Sequence, residues 1–92
     1  MADRNFEGPL RQNPDLIARR FDSTAVLVNI ATNRVFELNE TGAKVWELLG
    51  EGVGADEIVQ RLVGEFDVEE QQAADQVRNL IVQFETEGLL VR

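Results

Sequence analysis

The sequence predicts an α+β domain: a three-stranded antiparallel sheet followed by three helices. Three observations lead there. Apolar and β-branched residues alternate at period two between positions 16 and 38. From position 39 onward they recur at helical spacing, and glycines interrupt that helical pattern at 50–54 and at 88.

Residues 1–15 carry Asp3, Arg4, Asn5, Gly8, Pro9, Gln12, Asn13 and Pro14, which break any periodicity and read as a polar, flexible lead-in to a domain spanning residues 16–92. Phe6 and Leu10 are the residues of this stretch that could dock onto the body. A first short strand is expected at Leu16–Phe21. Residues 24–30, Thr-Ala-Val-Leu-Val-Asn-Ile, form the strongest strand, with Val26, Val28 and Ile30 on one face and Ala25, Leu27 and Asn29 on the other. Ala31-Thr32-Asn33 supplies a turn in which Asn33 tolerates a positive φ. Arg34–Leu38 returns as the third strand, with Phe36 and Leu38 on one face and Val35 and Glu37 on the other.

Asn39 is placed to cap the first helix, its side-chain oxygen accepting from a first-turn amide. Ala43, Val45, Trp46, Leu48 and Leu49 form the apolar stripe of that helix, which ends at Gly50. A second helix over residues 55–66 shows Ile58, Leu62 and Phe66 on one side, with Val59 and Val63 alongside. Asp67 followed by Glu70 resembles a capping box for the third helix, which runs to Glu87 and stops at Gly88. Three strands and then three helices is a winged-helix-like order. That order alone does not specify a function.

Composition narrows the function classes. Ninety-two residues make one domain with one core and little room for a deep cleft. The chain has no cysteine, histidine or tyrosine. Thiol chemistry, the commonest general base and the commonest transition-metal ligand are therefore all missing, and no metal, nucleotide or flavin site is legible. The expectation is a protein that is not an enzyme, with no cofactor of its own. No apolar run is long enough for a membrane span and the first twelve residues lack a secretion-signal core, so a cytoplasmic location is expected. The net charge of −8 is uneven. Residues 1–36 hold five basic residues against four acidic, whereas residues 37–92 hold four against thirteen. That acidic helical half disfavours binding to a phosphate backbone.

The specific signal lies at the strand-to-helix junction. Val35-Phe36-Glu37-Leu38-Asn39-Glu40-Thr41-Gly42-Ala43-Lys44-Val45-Trp46-Glu47-Leu48-Leu49 resembles the signature of the PqqD family, the pyrroloquinoline quinone biosynthesis protein D group. That family shows an aromatic-rich strand, then Leu-Asn-x-Thr-Gly, then an apolar residue and a Trp in the following helix. Glu57-Ile58, Leu62, Phe66-Asp67-Val68 and Glu87-Gly88-Leu89-Leu90 fit the same pattern, so the resemblance extends over residues 16–91. Gly54 departs from it, standing where the family usually has a Ser or Thr cap. Asp75 lies one position before the family's usual acidic residue, where this chain has Gln76.

The resemblance implies a RiPP recognition element, a peptide chaperone that binds the leader of a ribosomally made precursor peptide. It presents the rest of that peptide to a tailoring enzyme, often a radical S-adenosylmethionine protein. The implied mode is β-augmentation, in which an extended peptide adds to a sheet edge. In a meander the third strand is such an edge, so Arg34, Val35, Phe36, Glu37 and Leu38 are candidate peptide-binding residues. An ordinary short edge blunted by Arg34 and Glu37 is the alternative.

The third helix is expected to form the opposite wall. Its core stripe is Ala73, Val77, Leu80 and Phe84, and the apolar arc widens only toward Ala74, Ile81 and Val82. That places Ala74, Arg78, Ile81, Val82 and Glu85 toward the peptide, with Gln72, Gln76, Gln83 and Glu87 as a polar, unengaged flank. Leu27, Val35 and Ile17 are expected to be exposed on the sheet face away from the helices, where they would suit an enzyme partner, self-association or cover by the N-terminal tail. A monomer and a homodimer are both compatible with the sequence.

Two rivals belong to other classes. A winged-helix DNA-binding regulator needs a basic recognition helix, but the third helix carries Glu69, Glu70, Asp75, Glu85 and Glu87 against Arg78. A structural subunit that activates an enzyme without touching its peptide substrate is the other.

Overall fold

The computed structural model describes residues 11–91. Strand β1 (Arg11–Gln12) precedes the meander β2 (Leu16–Phe21), β3 (Thr24–Asn29) and β4 (Arg34–Leu38). Helices α1 (Glu40–Gly50), α2 (Ala55–Glu65) and α3 (Glu70–Thr86) follow, and β5 (Leu90–Val91) closes the chain. The three-stranded antiparallel sheet has the order β2-β3-β4, so β3 is central and β2 and β4 are edges. Asp22 and Asn33, at φ 56° and 61°, make the two turns. Both are residue types that tolerate the left-handed region.

Register decides which sheet face is the core. Leu27 pairs with Phe36 and Ala25 with Leu38, so these four share the face that the helices cover. Ala25, Leu27 and Asn29 are buried, and Asn29 satisfies its buried oxygen by accepting from the Ala31 N–H at 3.1 Å. The outward face carries the row Ile17, Val28 and Val35. Of the three residues expected there, Ile17 and Val35 are exposed, but Leu27 lies in the core. Both faces of β3 are apolar, so alternation alone cannot choose between them; the pairing of Leu27 with Phe36 does.

Asn39 caps α1 as expected, its Oδ1 accepting from Gly42 N–H at 2.9 Å. Trp46 is buried edge-on against Phe84, with ring centroids 5.3 Å apart, and locks α1 to α3. Gly54 precedes α2 without a side-chain cap. The capping box expected from Asp67 does not form. Val68 N–H instead donates to Phe66 O at 2.9 Å, which delays the helix, and Glu69 becomes the cap residue with no side-chain bond. Gly88, at φ 76°, terminates α3 and allows Leu89 N–H to return to Phe84 O at 2.8 Å.

Residues 11–15, expected within the lead-in, are tied down. β1 pairs with β5, Gln12 Nε2 donates to Trp46 O at 2.8 Å, and Asn13 Nδ2 donates to Gly88 O at 2.9 Å. A Cβ at Gly50 would come within 2.7 Å of the Gln12 amide end and push it from its place. Residues 1–10, including Phe6 and Leu10, lie outside the described residues.

Candidate functional site

The free edge of β4 borders a groove. Its lining comes from β4 (Val35, Phe36, Glu37, Leu38), from the capped junction (Asn39, Gly42), from α3 (Leu80, Gln83, Phe84) and from Leu89 beyond it. The volume is about 430 Å³. A second hollow of about 220 Å³ continues along α3 past Thr41, Gln76 and Asn79, sharing Asn39, Gly42, Leu80 and Gln83 with the first.

Each wall follows from local structure. Among the described residues nothing pairs with the outer side of β4. On an antiparallel edge, alternate residues turn their N–H and C=O groups outward, so this strand offers unused donors and acceptors along the groove. Phe36 and Leu38 face the core side and, with Leu80, Phe84 and Leu89, make an apolar floor. The α3 wall and the junction are amide-rich (Asn39, Gln76, Asn79 and Gln83), and Glu37 adds a carboxylate on the strand side. The Asn39 cap holds the junction where β4 enters α1, and an added Cβ at Gly42 would sit 3.3 Å from the capping Oδ1. At one end the Arg34 guanidinium lies 5.4 Å from the Phe36 ring centroid and 3.5 Å from Glu87. This contact joins the first residue of β4 to the end of α3.

All five β4 candidates therefore border or close the groove. The α3 candidates do not. At about 100° per residue, Gln76, Asn79, Leu80, Gln83 and Glu87 share one flank of α3, while Ala74, Arg78, Ile81, Val82 and Glu85 lie on roughly the opposite one. Only the first flank lines the groove. Ile81 is fully buried in the core, and Ala74 packs against that core. Arg78 lies 3.7 Å from Asp75 on its own helix, Val82 is exposed, and Glu85 is half-buried. The cause is the position of α2, which packs along α3 on that side, where Gln60 donates to Glu70 at 3.1 Å. The apolar arc widens toward α2 because it is covered there. The groove wall remains polar because it meets water. Leu80 was the available signal, a half-buried leucine at the border between core stripe and amide flank.

Comparison with known proteins agrees with this architecture. The model of one family, described as Coenzyme PQQ synthesis protein D (PqqD), matches residues 24–90. The chain belongs to the PqqD family. The match begins with β3 and ends within β5, so it takes in the central strand β3, the edge strand β4 and all three helices. No curated protein matches the chain. Among solved structures, one described as TbiB1 in complex with the TbiA(beta) leader peptide is 25% identical with a TM-score of 0.81, covering 87% of this chain and 93% of that one. Another, described as lasso peptide synthetase B1 complexed with the leader peptide, is 22% identical with a TM-score of 0.84. It covers 92% of this PqqD-family chain and 100% of its own, and it establishes likeness of fold. No helix among the described residues is long and apolar enough to cross a membrane.

Proposed function

We propose that this PqqD-family chain is a non-catalytic peptide chaperone. It takes the leader of a ribosomally synthesised precursor peptide as a fourth strand beside β4 and presents the remainder to a modifying enzyme in the cytoplasm. The observation that carries this reading is the unpaired β4 edge opening onto a groove with an apolar floor. The peptide main chain would complete the ladder, and alternate side chains would enter between β4 and α3. Two solved structures of this fold are complexes with leader peptides, which supports a leader as the ligand.

The residues proposed to hold the peptide are Arg34, Val35, Phe36, Glu37 and Leu38 on the strand and Leu80, Gln83 and Phe84 opposite. The amide-rich α3 wall favours main-chain bonds and apolar side chains in the peptide, with Arg34 and Glu37 as the charged groups on the strand side. The modifying enzyme supplies any chemistry and cofactor, and a radical S-adenosylmethionine enzyme is the proposed class. Isothermal titration of the chain with precursor leaders, with and without the candidate enzyme, tests the proposal. Saturable one-to-one binding without the enzyme supports it. Binding seen only when the enzyme is present contradicts it and favours a structural subunit.

A further inference from the structure

The sheet face turned away from the helices is an apolar surface with no cover among the described residues. Ile17, Phe21 and Val35 are exposed by 44%, 58% and 62%, and Ile30 just beyond β3 by 58%. Ile17, Val28 and Val35 form one cross-strand row, and Arg19, Val26 and Glu37 the next. The second row has a cation at one edge and an anion at the other. Neither Arg19 nor Glu37 is ion-paired among the described residues, although five other pairs form. These rows lie on the face of the sheet; Val35 and Glu37, on its edge strand, also border the peptide groove.

We propose that this face is a self-association surface whose occupant is a second copy of the chain, related by a two-fold axis running along β3 between the two facing sheets. That axis exchanges the two edge strands, so β2 of one copy lies over β4 of the other. Ile17 then meets Val35, Val28 meets Val28, and Arg19 meets Glu37, twice over. The charge pattern is self-complementary for this arrangement.

Asn39 continues the row of Phe21 and Thr24, and the same axis sets Phe21 of one copy over that position in the other. A hollow of about 480 Å³ lies at that end of the sheet, lined by the chain's own Phe21 together with Thr24, Ala25, Val26, Glu37, Leu38 and Asn39. The acidic surplus resides in the helical half, away from this contact, so the net charge of −8 opposes the pairing only weakly. The outer edge of β4 stays open, because no strand of the second sheet lies beyond it.

The size of the face sets the strength. Three strands about 4.8 Å apart and six residues rising about 3.4 Å each give a face of about 15 by 20 Å. Covering it on both copies corresponds to about 600 Å² of flat face, below the range of stable interfaces, so the dimer is weak and concentration-dependent.

Sedimentation equilibrium of the full chain at 0.15 M salt, from about 10 μM to 1 mM, is the test. The expected mass rises from 10.3 kDa toward twice that value. Arg19→Glu should weaken association about tenfold or more, by setting like charges against each other, and Arg19→Glu/Glu37→Arg should recover most of it. Ile17→Asp should weaken it independently, with the circular dichroism spectrum unchanged. A mass fixed at 10.3 kDa throughout, or undiminished association in Arg19→Glu, would overturn the proposal. Arg19 does not line the peptide groove, so titrating leader peptide into Arg19→Glu separates this result from that of the peptide-binding reading.

Discussion

Replacing Leu80 by alanine removes an apolar group from the α3 wall of the groove while leaving the β4 edge intact. Leu80 borders both hollows and is already half-buried in the free protein, so a docking peptide covers only its remaining surface. Taking about 40 Å² of that surface at about 25 cal/mol per Å² gives about 1 kcal/mol, or about a fivefold rise in Kd. Fluorescence anisotropy with labelled leader segments measures this directly, and circular dichroism checks that the variant is folded. Val82→Ala and Arg78→Ala, on the opposite flank, are the controls and should leave Kd within about twofold, a difference of about 0.4 kcal/mol. The geometry would be refuted if Val82→Ala or Arg78→Ala weakened binding while Leu80→Ala did not.

Other expectations concern the scaffold. Asn39→Ala removes the bond to Gly42 N–H and should cost about 1 kcal/mol, lowering Tm by about 4–8 °C when unfolding is followed by Trp46 fluorescence. Gly88→Ala forces a side chain into a backbone at φ 76° and should destabilise by about 1 kcal/mol in urea unfolding. Gly50→Ala should speed amide exchange in β1 and β5 by displacing Gln12 from Trp46 O; in a Gln12→Ala background the same change should be neutral or stabilising, since alanine favours helix. Proline at Val35 and at Phe36 should differ in effect on peptide affinity, because adjacent strand residues turn their N–H groups to opposite sides.

Much of the fold was legible because its signals are local. The alternation in β3, the Asn39 cap and the Gly88 stop each act within a few residues of themselves. The features that escaped are long-range. Gln12 and Asn13 look like tail residues until their amides are seen to reach Trp46 and Gly88. Asp67 has the spacing of a cap but lies in the turn fixed by Val68 and Phe66. The β4 edge was readable from strand order, whereas the facing flank of α3 depended on which side α2 covers. An apolar arc marks contact with the rest of the fold as readily as contact with a ligand. Here it pointed to α2, and the amides of Gln76, Asn79 and Gln83 marked the open side.

The most direct test of strand addition at β4 is amide hydrogen exchange with and without a saturating leader peptide. Strand addition slows exchange at every second amide of Arg34–Leu38, with accompanying amide shifts at Leu80 and Gln83. Changes confined to residues 51–66, with β4 exchange unaltered, would contradict it.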